Sequence, residues 1–209
     1  MSLIPKKGTV YVVDDDEAVR DSLTWLLESN GYSVKCQPSA ERFLQALQGD
    51  HKETVSCLIL DVRMPGMSGL ELQERLLAEG IPMPISFITG HGDVSMAVST
   101  MKKGAIDFIE KPFKESELKV LVEKMLTRAR VDYAKADTQK NTQNLLSKLT
   151  GREKQVLERT VAGRLNKQIA DDLNISIKTV EAHRANIMEK LNVNTVVDLL
   201  RLALSESNK

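Results

Sequence analysis

The fold class follows from residues 56–66, which read SCLILDVRMPG. A continuous apolar run that ends at an acid predicts a parallel strand buried on both faces. The Pro and Gly that follow predict a turn, so we expect Asp61 at the carboxyl end of this strand. In doubly wound sheets, binding and reacting groups lie at that edge.

The same order of strand, turn and helix extends to both sides of this stretch. Upstream, residues 9–13 form a β-branched run that stops at Asp14, Asp15 and Asp16. Further strands are predicted at residues 32–36, 84–88 and 105–109, and amphipathic helices separate them, the last at residues 115–126. Five strands that alternate with five helices predict an α/β fold, a flavodoxin-like doubly wound sheet of five parallel strands.

The C-terminal part of the sequence predicts helices alone. Thr150 and Glu153 have the spacing of a capping box, and Ser176 can cap the N-terminus of a longer helix. A short helix at residues 166–173 precedes it, which is the order of a helix-turn-helix. We therefore predict an α/β domain at residues 1–127, a linker at 128–146 that is in part a helical extension of the fifth helix, and an all-α four-helix domain at 147–209.

Charge and composition narrow the classes of partner. Residues 147–209 hold 11 Lys and Arg against 8 Asp and Glu, a net charge of +3, which leaves 18 basic and 21 acidic residues, a net −3, in residues 1–146. Contacts with the phosphates of a nucleic acid are therefore expected from the C-terminal part only. Cys36 and Cys57 lie in apolar runs and are expected to be buried and reduced. No apolar run approaches the roughly 18 residues of a membrane span, and we expect a cytoplasmic protein.

The acids at the strand ends predict a cation site. Asp14, Asp15 and Asp61 would converge in one crevice, and oxygen ligands that tolerate bound water and phosphate favour Mg²⁺. A metal of this kind lets one carboxylate act as a nucleophile toward a phosphoryl group, and Asp61 is the candidate. Lys111 could supply a positive charge and Thr89 a hydroxyl. The alternative for Asp14 or Asp16 is a solvated N-cap of the following helix.

The first part of the chain resembles the receiver domains of bacterial response regulators. The residues that carry the resemblance are Val13-Asp-Asp15, Leu60-Asp-Val-Arg-Met-Pro-Gly66, Thr89-Gly90 and Lys111-Pro-Phe113. It implies that Asp61 accepts a phosphoryl group from a sensor histidine kinase. It also implies that Thr89 and Lys111 contact the phosphoryl group, that Phe108 is the aromatic switch, and that the Lys111-Pro112 peptide is cis. The implied Mg²⁺ ligands are Asp14, Asp15, Asp61 and the backbone carbonyl of Arg63.

The C-terminal part resembles the LuxR-type DNA-binding domain. Leu149-Thr-Gly-Arg-Glu153, Asn166-Lys-Gln-Ile-Ala170 and Thr179-Val-Glu-Ala-His183 carry this resemblance. It implies that the helix at residues 177–190 enters the major groove of double-stranded promoter DNA. Base-edge contacts are expected from Lys178, Glu181, Ala182 and Arg184, and phosphate contacts from Lys167, Thr179, His183 and Lys190. The alternative for Glu181 and Arg184 is a solvated helix face.

Together the two parts resemble FixJ/NarL-type response regulators. The resemblance implies that phosphorylation shifts the receiver toward a state that forms a homodimer and binds promoter DNA, with RNA polymerase as a further partner. We expect Val98, Met101 and Lys102 on the dimer face. An alternative is a phosphorylation-independent regulator that uses its receiver only to dimerise. An aspartyl-phosphate hydrolase is disfavoured, because such phosphatases carry a second acid where this chain has Arg63. The lack of a Gly-Lys-Ser/Thr loop between the two parts argues against an ATP-driven transcriptional activator.

Overall fold

The computed structural model describes residues 8–47, 55–90 and 94–204. His91 and Asp93, to which the sequence assigned no chemical role, lie outside these ranges. The chain divides into two compact units, Met1–Tyr133 and Ala134–Lys209. The elements of the described residues are β1 (Thr9–Val13), α1 (Glu17–Ser29), β2 (Ser33–Gln37), α2 (Ala40–Leu47), β3 (Ser56–Leu60), α3 (Gly69–Ala78), β4 (Ile85–Thr89), α4 (Val94–Lys102), β5 (Asp107–Glu110), α5 (Glu115–Ser147), α6 (Gly151–Val161), α7 (Asn166–Leu173), α8 (Ile177–Lys190) and α9 (Val196–Leu204).

The first unit contains one sheet, which confirms the predicted fold class. In the described residues the sheet has five strands in the order β2-β1-β3-β4-β5, and every pairing is parallel. The order reverses direction between β1 and β3, the point at which doubly wound folds bind their ligands. Val13 pairs with Leu60 in the register of β1 and β3. The residues that follow these two strands are therefore neighbours.

Hydrophobic side chains cover both faces of this sheet. Tyr11 and Leu58 belong to the core on one face, with α2 and α3, whereas Val12 and Ile59 belong to the core on the other, with α1 and α5. Adjacent strand residues thus point to opposite faces, as the pleat requires. A strand buried on both sides holds its ends firmly, which fixes the position of Asp61.

Three predicted strands are displaced by one or two residues from their observed limits. Pro84 has no N–H to donate to the sheet, so β4 begins at the next residue. Tyr32 and Ala105 donate to carbonyls of the preceding helices, those of Leu27 and Thr100, so their amides do not pair within the sheet. β2 and β5 consequently begin at Ser33 and Asp107.

Helix α5 includes both the predicted fifth helix of residues 115–126 and the linker that was expected to extend it in part. It runs from Glu115 to Ser147, so the predicted linker of residues 128–146 lies within it. The segment contains neither Gly nor Pro, and pairs four residues apart, Arg128 with Asp132 and Asn141 with Asp137, support its polar part. No described helix is both long enough and apolar enough to cross a membrane.

The second unit is helical, as predicted, and its helix starts are capped. The capping box of Thr150 and Glu153 is confirmed, because the Thr150 hydroxyl accepts from the Glu153 amide and the Glu153 carboxylate accepts from the Thr150 amide. Ser176 likewise caps α8 by accepting from the amide of Thr179. The core between these helices includes Val156, Ile169, Val180, Ile187 and Leu199.

The two cysteines and the tryptophan of the first unit differ in how far they are buried. Cys57 is fully buried, and burial raises the pKa of its thiol, as expected for an inert cysteine. Cys36 is only half-buried and shares a hydrogen bond of 3.0 Å with the Thr24 hydroxyl, so the expected burial holds for one of the two. Trp25 lies on the outward face of α1 with 73% of its surface exposed.

Candidate functional site

The carboxylates that follow β1 and β3 lie side by side. The Asp61 amide donates to the carbonyl of Val13 at 2.8 Å, which continues the pairing of the two strands by one residue. Asp14 is 3% exposed and Asp61 is 8% exposed. Two acids are therefore held together with little access to water, which is unfavourable unless a positive charge lies near.

Lys111 supplies that charge. Its Nζ lies 2.7 Å from Asp14 Oδ2 and 3.6 Å from Asp61 Oδ1. The Lys111 amide donates to the carbonyl of Thr89 at 2.8 Å, and the Lys111–Pro112 peptide is cis, as predicted. The ends of β1, β3 and β4 thus meet at one point with the residue that follows β5.

The remaining contacts of the acids are with the backbone. Asp14 Oδ1 accepts from the amide of Asp16 at 3.0 Å, and Asp61 Oδ2 accepts from the amide of Arg63 at 3.0 Å. Burial raises the pKa of the Asp61 carboxyl above its ordinary value; Lys111 opposes this effect, and the charge of Asp14 adds to it. A buried carboxylate with few donors retains lone pairs for an incoming group.

The other acids of the β1 loop are exposed. Asp16 is the N-cap of α1, because its side chain accepts from the amide of Ala18 at 2.9 Å, so the alternative reading applies to this residue. The Asp15 side chain faces solvent. No three acidic, imidazole or thiol side chains of the described residues form a ready metal-ligand set. The oxygen donors still suit Mg²⁺, which is commonly held by one or two carboxylates and keeps several waters.

The predicted switch and dimer residues lie on neighbouring elements. Phe108 on β5 is half-buried, and its ring centroid lies 6.4 Å from that of Phe87 on β4. On α4, the side chains of Val98, Met101 and Lys102 are exposed. Thr89 at the end of β4 is buried, and β4 lies between β3 and β5 in the sheet.

Three residues that shape this site did not stand out in the sequence. Arg20 on α1 donates from Nη1 to the carbonyl of Asp14 at 2.7 Å. The Glu41 carboxylate on α2 accepts from the amide of Met67 at 2.9 Å, which holds the loop after Asp61. A Cβ built on Gly69 would overlap with the Asp61 carbonyl oxygen. Arg20 and Glu41 lie on helices and contact the loops that follow β1 and β3, so only the fold shows these two contacts.

The second candidate site is the surface of α8. Lys178, Glu181 and Ala182 near its N-terminus are exposed, and Thr179 and His183 are half-buried. Lys167, at the second position of α7, is also exposed. These side chains form the free surface of a helix-turn-helix.

Two of the predicted DNA contacts are instead engaged within the unit. Lys190 Nζ donates to both carboxylate oxygens of Glu153, at 2.9 and 2.7 Å. Arg184 Nη1 donates to Asn166 Oδ1 at 3.0 Å. The resemblance to the LuxR-type domain implied DNA contacts for both, but it could not show their partners on α6 and α7.

Family comparisons agree with this arrangement. The model described as "Response regulator receiver domain" matches residues 10–123, and that described as "Bacterial regulatory proteins, luxR family" matches residues 147–203. The transcriptional regulatory protein FixJ of Bradyrhizobium diazoefficiens is 43% identical over 198 residues, which are 95% of this chain and 95% of that protein. The chain belongs to the FixJ-type response regulators.

Solved structures of response regulators match nearly the whole length of the chain. The structure of the response regulator StyR has 48% identity and a TM-score of 0.82, and the match covers 93% of this chain and 97% of that one. Full-length FixJ from B. japonicum has 42% identity and a TM-score of 0.58 over 96% of this chain and 98% of that one. This response regulator is a phosphorylation-dependent transcription factor with a receiver and a LuxR-type DNA-binding domain. Receiver domains as a class bind Mg²⁺ where they are phosphorylated.

Proposed function

We propose that Asp61 is the phosphoacceptor of this response regulator and that a sensor histidine kinase is the donor. The observation that carries the proposal is the ion pairing of Lys111 with both Asp14 and Asp61 at the carboxyl edge of the sheet. Asp61 is the member of this group that follows the central strand β3. The site combines a nucleophile with a positive charge for phosphoryl oxygens.

The proposed Mg²⁺ ligands are Asp14, Asp15, Asp61 and the backbone carbonyl of Arg63. Support comes from the buried carboxylate pair, whose charge Lys111 alone balances incompletely. When bound, the ion neutralises phosphoryl oxygens and the acids that face them. Lys111 would then turn from Asp14 toward the phosphoryl group.

The transfer step uses the side chains at the strand ends. A carboxylate oxygen of Asp61 attacks phosphorus, and the bond from phosphorus to the imidazole nitrogen of the kinase breaks, with its electron pair remaining on the nitrogen. The product is an acyl phosphate on Asp61. Lys111 pairs with one phosphoryl oxygen, and the Thr89 hydroxyl donates to another.

We propose that this change reaches the dimer face through β4 and β5. Thr89 moves toward the phosphoryl group, and Phe108 on the neighbouring strand changes its position, which favours one of two states of α4. Val98, Met101 and Lys102 then contact a second copy of the chain. The exposure of these three side chains supports the assignment.

The dimer then binds promoter DNA in the cytoplasm and assists RNA polymerase. Lys178, Glu181 and Ala182 are proposed at base edges, because they are exposed near the N-terminus of α8. Lys167, Thr179 and His183 are proposed at phosphates. The excess of basic residues in this part of the chain favours such contacts.

The test is phosphorylation by a small phosphodonor in the presence of Mg²⁺. We expect the wild-type chain to gain the mass of one phosphoryl group and to dimerise in sedimentation, and Asp61→Asn to do neither. Asp21→Asn, an exposed acid on α1, is the matched control and should behave as wild type. A wild-type chain that dimerises or binds DNA equally well without phosphorylation supports the phosphorylation-independent alternative instead.

A further inference from the structure

Two basic side chains of helix α8 are less exposed than Lys178 and Glu181 and are bound to other helices. Lys190 is its last residue and Arg184 lies in its middle, and both are half-buried. Each donates to a side chain on another helix of the same unit. These contacts raise the question of whether the two residues bind DNA or hold the helix that does.

Lys190 binds Glu153, whose side chain is held in place by the capping box at the start of α6. Glu153 is 3% exposed, and its carboxylate accepts from the amide of Thr150 at 2.7 Å as well as from Lys190. The hydrogen bond from Lys190 is the main reason that the pKa of the Glu153 carboxyl falls to about 2. If Lys190 moved to a DNA phosphate, this buried carboxylate would lose its counter-charge, which is strongly unfavourable.

The partner of Arg184 lies at the start of the other helix of the motif. Asn166 is the first residue of α7, and its amide oxygen accepts from the guanidinium. The contact links the N-terminus of α7 to the middle of α8. The crossing of the two helices decides how the N-terminus of α8 meets the groove.

Helix geometry separates Lys190 from the base-reading end. Lys178 and Lys190 are twelve residues apart, which corresponds to roughly 18 Å along a helix. Only the N-terminal residues of a recognition helix reach base edges. The position of Lys190 therefore suits an anchor for the far end of α8.

We propose that Arg184 and Lys190 are positioning residues, which hold the recognition helix through Asn166 and Glu153 and make no DNA contact themselves. This inference rests on the proposed function of α8 and reassigns two of its predicted contacts. Together the two pairs join α8 to α7 and to α6. They hold the exposed N-terminal residues in the orientation needed for discrimination between sequences.

The test uses the full-length chain, phosphorylated with a small phosphodonor and Mg²⁺. The probes are a duplex selected by the wild-type chain from a random-sequence pool and a scrambled duplex of equal length and composition. The variants are Lys190→Met, Glu153→Gln and their combination. Affinity for each duplex is measured over a range of salt concentrations, and circular dichroism checks that each variant is folded.

Positioning and direct contact predict different results. We expect both single variants to lose about tenfold in affinity for the selected duplex and less for the scrambled one, which corresponds to about 1.4 kcal/mol. The slope of log K against log salt should equal that of wild type, and the double variant should be no weaker than either single variant. Lys190→Arg should retain the wild-type affinity.

A phosphate contact would give the opposite pattern. Lys190→Met would then reduce the salt slope by about 0.9, and Glu153→Gln would release Lys190 and strengthen binding. Either result overturns the inference. Lys167→Met, at a proposed phosphate contact, is the positive control: it shows how far the loss of one such contact lowers the slope of log K against log salt.

The second pair keeps the test decisive if Glu153→Gln does not fold. Asn166→Ala, Arg184→Met and their combination should weaken discrimination between the two duplexes to the same extent, with an unchanged salt slope. Asn166→Asp, which keeps an acceptor for Arg184, should discriminate as the wild-type chain does. A reduced slope in Arg184→Met contradicts the inference for Arg184. A wild-type chain that selects no duplex contradicts the proposed DNA contacts themselves, an outcome distinct from failure of the positioning roles.

Discussion

Gly69 shows how one residue can limit the geometry of the phosphoacceptor site. Its amide donates to the carbonyl of Val62, and a Cβ at this position would overlap with the carbonyl oxygen of Asp61. We expect Gly69→Ala to lower the free energy of unfolding by about 1–3 kcal/mol and to slow phosphoryl uptake, because the backbone around Asp61 must move. Urea denaturation and phosphorylation rates measure the two effects.

The control for Gly69→Ala is Gly151→Ala. Gly151 is also the first residue of a helix, α6, but a Cβ there meets no described atom within 4 Å. Alanine should leave stability unchanged or raise it by up to about 1 kcal/mol. Equal effects of the two substitutions would contradict the steric argument.

Glu153 predicts a dependence of stability on pH. The pKa of its carboxyl is about 2 in the folded protein, against an ordinary value of 4.5, chiefly because Lys190 donates hydrogen bonds to it. A lowered pKa stabilises the fold above about pH 4.5, and this contribution is lost as pH falls toward 2. The difference in unfolding free energy between wild type and Glu153→Gln should therefore shrink over this range.

Urea denaturation at several pH values, followed by circular dichroism, measures this difference. Glu158→Gln on the exposed face of the same helix is the matched control, and its difference from wild type should be small throughout. A constant difference for Glu153→Gln between pH 4.5 and 2 would show that the ion pair does not stabilise the fold.

The sequence predicted single residues well where position along a strand decided their place. Asp14, Asp61 and Lys111 each follow a strand, and parallel strands bring such residues together. The partners of Arg184 and Lys190 lie 18 and 37 residues away on other helices. Helical periodicity shows which face a residue occupies, but it does not identify the side chain opposite.

At the scale of elements, α4 is held at its C-terminus by a buried glutamine. Gln73 on α3 donates from Nε2 to the carbonyls of Thr100 and Lys103, at 3.3 and 3.5 Å. We expect Gln73→Met to lower the free energy of unfolding by about 1–3 kcal/mol, since two carbonyls lose a donor. Gln73→Glu should have a larger effect at neutral pH, because a carboxylate would face the negative end of the helix.

Hydrogen exchange of α4 together with urea denaturation tests this prediction. Amides of α4 should exchange faster in both variants than in wild type. Gln45→Met on the exposed side of α2 controls for the loss of an amide side chain. Unchanged exchange in Gln73→Glu would mean that α4 does not depend on this contact.

The exposed face of α4 carries the prediction about dimerisation. Val98 is 47% exposed and Met101 is 45% exposed, and Lys102 lies beside them. We expect Val98→Ala combined with Lys102→Glu to remain monomeric after phosphorylation, since apolar contact and charge complementarity are both lost. Sedimentation measures the state. Arg42→Glu on α2 should dimerise as wild type does, and a normal dimer of the α4 variant would place the interface elsewhere.

Helix limits show where local signals suffice. Helix α8 begins directly after Ser176, as this cap predicts, whereas its end at Lys190 was implied by the resemblance to the LuxR-type domain. The capping box of Ser68 and Glu71 at the start of α3 was present in the sequence but was not used. The polar part of α5 was predicted as a partly helical extension of the fifth helix, because it contains no helix breakers, and it is helical as far as Ser147.

At the scale of the whole molecule, α5 is the covalent connection between the two hydrophobic cores. Buried core residues reach Ala129 on one side, and core contacts resume at Leu145 on the other. Ala136 lies between them and is exposed. Ala136→Pro should therefore leave both cores folded. It should break α5 locally, because an interior proline destabilises a helix by about 3 kcal/mol.

We expect Ala136→Pro to accept phosphate at Asp61 normally and to lose much of the gain in DNA affinity that phosphorylation produces. A broken helix is a more flexible connection than a continuous one, so dimerised receivers should favour DNA binding less strongly through it. DNA affinity with and without the phosphodonor measures the gain, and Ala136→Gln, which preserves the helix, is the control. A full gain in Ala136→Pro would show that covalent tethering is sufficient.

Trp25 is the only tryptophan of the sequence and lies on the outward face of α1, opposite the buried Leu23 and Leu27. Indole emission depends on the polarity around the ring, and water already surrounds this one in the folded chain. Intrinsic fluorescence will therefore change little when either unit unfolds, and a melting curve recorded that way would miss both transitions. A protein that covers α1 would instead shift the emission to shorter wavelength, so the chain carries an optical probe of docking rather than of folding.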